Sequence, residues 1–190
     1  MLTVFPGDVD DHLAAVLAFP RTLEDTVRSV SAAVSKGESH KPHSNAYYPN
    51  LRGEALQIPA RVYYDSEALG EGCARRGAEG TVAQCLGTRH SEGFVRQQCA
   101  VQLLKSDQYW TAPFLIHLLG EYVVEVIAPI ERMLQEGVPP QFREFVAENP
   151  SYMVTVEKRA ISYWSCYYRG QFLNKAHYPG LRAIAALKAG

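Results

Sequence analysis

Residues 81–137 read TVAQCLGTRHSEGFVRQQCAVQLLKSDQYWTAPFLIHLLGEYVVEVIAPIERMLQEG, and this stretch decides the fold. Its apolar side chains recur at helical spacing and are punctuated by helix caps and stops. The pattern predicts helices over 81–87, 92–105, 111–119 and 122–135. Asp107 or Thr111 can cap the third, Pro113 suits its first turn, and Gly137 ends the fourth. Gly120 is expected to separate two helices. A faint internal echo runs through the stretch: Val95-Arg96-Gln97-Gln98-Cys99 returns in outline, 29 residues later, as Val124-Glu125-Val126-Ile127-Ala128. Each copy has a small residue four positions after its valine.

Helical signals continue outward on both sides. Leu13, Val16 and Leu17 share one face of a helix expected over 8–19, with Asp8, Asp10 and Asp11 at its amino end and Pro20 after it. Leu23, Val27, Val30 and Val34 make the stripe of a second helix over 23–35, which Gly37 stops. Residues 36–59 combine turn formers with little periodicity and read as a long loop, anchored by Tyr47-Tyr48-Pro49. Residues 58–64 read as extended, so 36–64 is expected as one irregular segment. The glycines at 70, 72, 77 and 80 predict a further irregular stretch after a short turn of helix capped by Asp65 or Ser66. Beyond Gly137, helices are expected over 139–148, 151–172 and 179–188. The second of these is apolar on nearly every side, through Val156, Ile161, Trp164 and Tyr168, which predicts a central position. The fold class expected is mainly α, a single helical domain over 1–190.

Composition narrows the function classes. The chain has 190 residues, 47% hydrophobic and 21% charged, which is ordinary for a globular protein. A net charge of −1 lacks the basic excess that nucleic-acid binding usually leaves, so nucleic acid is not an expected partner. The first residues show no basic run followed by an apolar one, and the longest apolar stretches are interrupted by charge. Neither a signal peptide nor a membrane span is expected, and the reading is cytoplasmic. Cys73, Cys85, Cys99 and Cys166 contain no Cys-x-x-Cys pair, so they read as reduced thiols; Cys85, Cys99 and Cys166 sit among apolar neighbours and read as small buried hydrophobes. No phosphate-binding glycine motif is present, and no cofactor is expected.

Pro113-Phe114-Leu115, Leu118-Leu119, Glu121, Val124-Glu125 and Ala128 together resemble a HEAT-type repeat. Val82, Cys85, Leu86, Glu92, Val95-Arg96 and Cys99 resemble a preceding copy. The resemblance spans about residues 81–137 and implies a short array of stacked helical hairpins. Glu125 departs from the family's usual basic residue, and Pro129 is expected to interrupt the second helix.

Three clusters could carry chemistry. Arg89, His90 and Arg96 flank a helix junction, where planar donors and an imidazole could recognise an acidic group on a solvent-open surface. The competing use is structural, with a Glu92–Arg96 pair along the helix. His117, Glu121 and Glu125 fall at four-residue intervals and could ligate a metal if one helix carried all three. Arg159, Tyr163, Trp164, Tyr167, Tyr168 and Arg169 interleave basic and aromatic side chains, which suits base stacking or simply core packing. No nucleophile set has diagnostic spacing. The function expected is a helical interaction module for a protein partner of unknown identity. The alternatives are a small helical enzyme acting on an acidic substrate through Arg89 and His90, and a metal-binding protein.

Overall fold

A computed structural model describes residues 11–35 and 45–189. The expected helix start at Asp8 and the 36–44 part of the expected loop lie outside the described residues. Among the described residues the architecture is mainly helical, with 68% helix in ten helices and little sheet.

Helix α1 (Asp11–Leu17) leads through a 3-10 turn at Arg21–Leu23 into α2 (Glu24–Val34). Val27, Val30 and Val34 of the expected stripe are buried in α2. Four two-residue strands follow, where the sequence reads as a loop: β1 (Ala46–Tyr47), β2 (Asn50–Leu51), β3 (Glu54–Ala55) and β4 (Ile58–Pro59). They nest as one antiparallel hairpin, β1 pairing β4 outside and β2 pairing β3 inside. Both turn residues have positive φ, Arg52 at 51° and Gly53 at 81°. That conformation suits a tight hairpin, and glycine adopts it freely.

Helix α3 (Ser66–Cys73) replaces the irregular stretch expected there. Asp65 caps it by accepting from the Glu67 and Ala68 N–H groups at 3.1 and 2.8 Å. Helices α4 (Gly77–Gly87), α5 (Gly93–Leu103), α6 (Ala112–Leu118) and α7 (Val124–Glu136) correspond to the four expected in 81–137. The chain turns at Gly120, as expected. Pro129 does not interrupt α7: the helix runs through it, because one missing donor near the first turn removes a single ladder bond. Every residue of α6 is buried, so α6 is the central helix.

Helices α8 (Pro140–Glu148), α9 (Pro150–Tyr163) and α10 (Pro179–Ala189) complete the chain. The central position expected for 151–172 is not found. α9 buries only Met153, Val156 and Ala160, while Ile161 and Trp164 are only partly buried. After Tyr163 the helix widens into a π-helical turn, Trp164–Tyr168, with no buried residue. A helix apolar all round is a core helix only when something covers its far side, and here aromatics stand in solvent instead. α7 packs chiefly on α10 and then on α5, more than on α6. The buried apolar side chains of all these elements join into one cluster. Among the described residues no helix is long and apolar enough to cross a membrane.

Candidate binding site

Extended backbone at 59–62 meets the residues that follow α4. The Val62 N–H donates to Arg89 O at 2.9 Å, and the Ser91 N–H donates to Val62 O at 3.0 Å. This single parallel bridge lays a row of carbonyls beside Arg89. The Arg89 guanidinium donates from Nε to Pro59 O at 3.2 Å and from Nη2 to Ala60 O at 2.7 Å. Nη2 also reaches the Glu121 carboxylate at 3.4 Å. Arg61 grips that carboxylate with both terminal nitrogens, at 2.8 and 2.7 Å. The side chains of Arg89 and Glu121 are wholly buried, whereas that of Arg61 is 27% exposed.

Three further groups close the nest. Arg159 of α9 donates from Nε to Gly120 O at 3.1 Å and from Nη1 to the Tyr47 hydroxyl. The Tyr47 ring lies on the His117 imidazole, centroids 3.8 Å apart. His117 Nδ1 bonds the Tyr152 hydroxyl at 2.6 Å. The hairpin that carries Tyr47 is latched to the end of α8. Glu148 accepts from the Arg52 and Gly53 N–H groups at 2.8 and 2.7 Å, and Asn149 exchanges two bonds with the Asn50 backbone.

Arg89, His90 and Arg96 come together, but as buried groups rather than on a solvent-open surface. Arg96 Nη1 donates to the carbonyls of His90 and Ser91, both at 2.8 Å. The expected Glu92–Arg96 ion pair is absent among the described residues, because Arg96 turns inward to these carbonyls. His90 accepts from the Glu92 N–H at Nδ1 and bonds Tyr64 O through Nε2 at 2.9 Å. Those two bonds place its proton on Nε2 and leave neither nitrogen free. The metal set does not assemble: Glu125 is exposed on α7, away from buried His117 and Glu121. Among the described residues no group of three or more His, Cys, Asp or Glu side chains could hold a metal ion.

Electrostatics set the nest apart. Burial opposes the charge on Glu121, but bonded Arg61 and neighbouring Arg89 and Arg96 hold its carboxyl below the usual range. Burial pushes Arg89 down to about 10, with Glu121 opposing and Arg61 adding to the shift. Burial first, then Arg89, Arg159 and Arg61, force the His117 imidazole well below its ordinary value, so it is neutral at pH 7. Burial raises the Tyr152 hydroxyl. Four guanidinium groups thus surround one carboxylate and a neutral imidazole. Among the described residues neither Arg96 nor Arg159 pairs with a carboxylate. Arg89 Nη1, Arg96 Nε and His117 Nε2 are buried without a hydrogen-bond partner. Buried cationic and polar atoms left in this way are costly, and native proteins normally satisfy them.

The nest meets solvent at Arg61, Arg159 and Tyr47, which are only partly buried. Arg61 lies within electrostatic reach of Tyr47 and Tyr122. Tyr163 follows Arg159 by four residues, on the same face of α9. The Tyr122, Tyr163 and Tyr167 rings lie 5.8–6.3 Å apart, a tyrosine ridge continuous with the opening. Tyr122 is 46% exposed and Tyr167 is 68% exposed. The π-helical turn positions the ridge, and Tyr168 ties it down by donating to Tyr122 O at 2.6 Å.

Sequence reasoning singled out Arg89 and Arg96 and read Tyr47 as an anchor. It missed Arg61 and Tyr152. A charged residue inside the apolar run 58–64 was the only available signal for Arg61. No protein-family model, curated protein or solved structure matches this chain.

Proposed function

We propose that the chain is a helical interaction module that binds a protein partner through the Arg61–Arg159–Tyr47 opening and the adjoining tyrosine ridge. The observation that carries this reading is the surplus of guanidinium groups over carboxylates, a positive charge that an acidic group supplied from outside would neutralise. Arginine forms the best-matched pairs with carboxylate. Tyrosine and arginine are also the side chains that dominate binding energy at protein interfaces. Exposed Tyr122 and Tyr167 beside the opening supply that composition. The partner feature expected is an Asp, Glu or terminal carboxylate next to aromatic or aliphatic residues.

Selection of displayed random peptides on the immobilised chain tests this. Enriched peptides should combine an acidic residue with apolar neighbours. Arg159→Gln and Tyr167→Ala should each weaken them about 30-fold, the equivalent of a 2 kcal/mol hot spot. Equal binding by the folded variants would refute the reading.

A second reading is favoured by one specific observation: His117 is neutral, oriented by Tyr152, and has Nε2 unpaired. Such an imidazole could serve as a general base toward an acidic substrate held by Arg89. The two readings separate on His117→Gln, which spares binding under the first and abolishes turnover under the second.

A further inference from the structure

Three of the four cysteines lie together, away from the arginine nest. Cys73 is the last residue of α3, Cys85 is in α4 and Cys99 is in α5. Cys73 Sγ and Cys99 Sγ are 3.8 Å apart, and no disulfide links them. A cavity of about 140 Å³ between α3 and α5 is lined by both of them, with Leu69, Val95 and Gln98. The two residues are only 8% and 4% exposed, so solvent reaches them through this cavity. Gly87, at the end of α4, makes the approach possible: a Cβ there would stand 2.2 Å from Cys99 Sγ. The sulfurs therefore meet in a gap that only a glycine leaves open.

We infer that Cys73 and Cys99 form a redox-active dithiol that peroxide converts reversibly to an intramolecular disulfide. The inference is independent of the proposed partner-binding surface. The hydrogen bond between the two sulfurs draws the Cys73 thiol below its ordinary range against the effect of burial, and the same bond raises Cys99. Cys73, the more exposed of the two, is the attacking thiol.

The step balances with hydrogen peroxide as oxidant. Cys73 S⁻ attacks one peroxide oxygen and the O–O bond breaks. The departing hydroxide takes up the proton that Cys73 released and leaves as water. The resulting Cys73 sulfenic acid is then attacked by Cys99 Sγ. The S–O bond breaks, and hydroxide leaves with the Cys99 proton as a second water. Two thiols lose two electrons in all, and one peroxide becomes two waters. A dithiol reductant reverses the outcome by exchange. Exposed Cys166 lies outside this group, contrary to its expected burial.

Peptide mapping of the native chain tests the inference. Tryptic cleavage after Arg61, Arg75, Arg76, Arg89, Arg96 and Lys105 puts the three clustered cysteines on separate peptides. After brief treatment with stoichiometric hydrogen peroxide, the protein is quenched in denaturant with an alkylating reagent and digested without reductant. The Cys73 and Cys99 peptides should appear as one cross-linked species and their alkylated forms should disappear, while Cys85 stays alkylated. Dithiothreitol should restore both. In Cys99→Ser, the Cys73 sulfenic acid should persist and be trapped by a dimedone reagent. Full alkylation of Cys73 and Cys99 in the treated wild type would overturn the inference. So would oxidation of Cys166 alone, or Cys73 sulfinic acid beside a free Cys99.

Discussion

Replacing Glu121 by Gln removes the one carboxylate of the nest while nearly preserving its shape. Arg89 would keep its bonds to Pro59 O and Ala60 O but lose its only counter-charge, and both side chains are wholly buried. Removing one member of a buried ion pair costs about 3–5 kcal/mol, because the survivor stays charged where water cannot reach it. A chain of this size loses roughly 2–4 °C of melting temperature per kcal/mol, so Tm should fall by about 6–20 °C. Arg61→Gln is the matched control. Arg61 is partly exposed and Glu121 would retain Arg89, so its loss should be the smaller of the two. Urea melts followed by far-ultraviolet circular dichroism measure both. A Glu121→Gln loss below about 1 kcal/mol, within the range of an exposed pair, would refute the claim that the nest is dry and charged.

Stability should fall with acid in two windows. His117 has a folded value well below 6.5, so the unfolded chain takes up its proton first as pH drops through 6.5, and stability declines from there. Glu121 has a folded value below 4.5, so its contribution is whole above 4.5 and is lost as pH falls through the folded value. His117→Gln should flatten the upper window alone, which melts across pH would record. Asn149→Ala should cost about 1–3 kcal/mol, because it orphans backbone groups of the hairpin and of α8. It should also speed amide exchange at Asn50 and Leu56; unchanged exchange there would dismiss the latch. Gly87→Ala should cost about 1–3 kcal/mol by overpacking against Cys99, and a neutral melt would show that the sulfur moves freely.

The helices were legible because local chemistry marks their ends. Pro139, Pro140 and Asn149-Pro150 bound α8, and Gly137 follows α7. The hairpin was not legible. Its register is held by Glu148 and Asn149, almost a hundred residues away, and its turn uses Arg52-Gly53 rather than the Asn-Gly that usually announces such turns. The arginines at 89 and 96 stood out, but an arginine is read as exposed by default. Their burial depends on carbonyls that the extended segment and the His90-Ser91 turn present to them. The 151–172 segment misled for the opposite reason. Tyr163 and Tyr167 have core composition yet form a surface ridge, and a single sequence does not say whether anything covers an apolar face. Arg61 and Arg159 meet beside Glu121 and Gly120 only through the tertiary fold, so no spacing could have paired them.

The central claim is that the arginine opening and tyrosine ridge contact another polypeptide. Photo-crosslinking in the native cell tests it most directly, with a benzophenone side chain at position 167 on the ridge and, as control, at exposed position 136 on the end of α7. The account predicts a discrete crosslinked polypeptide from position 167, absent from position 136 and lost when Arg159→Gln is added. Crosslinks from 136 but not 167, or a 167 crosslink indifferent to Arg159→Gln, would contradict it.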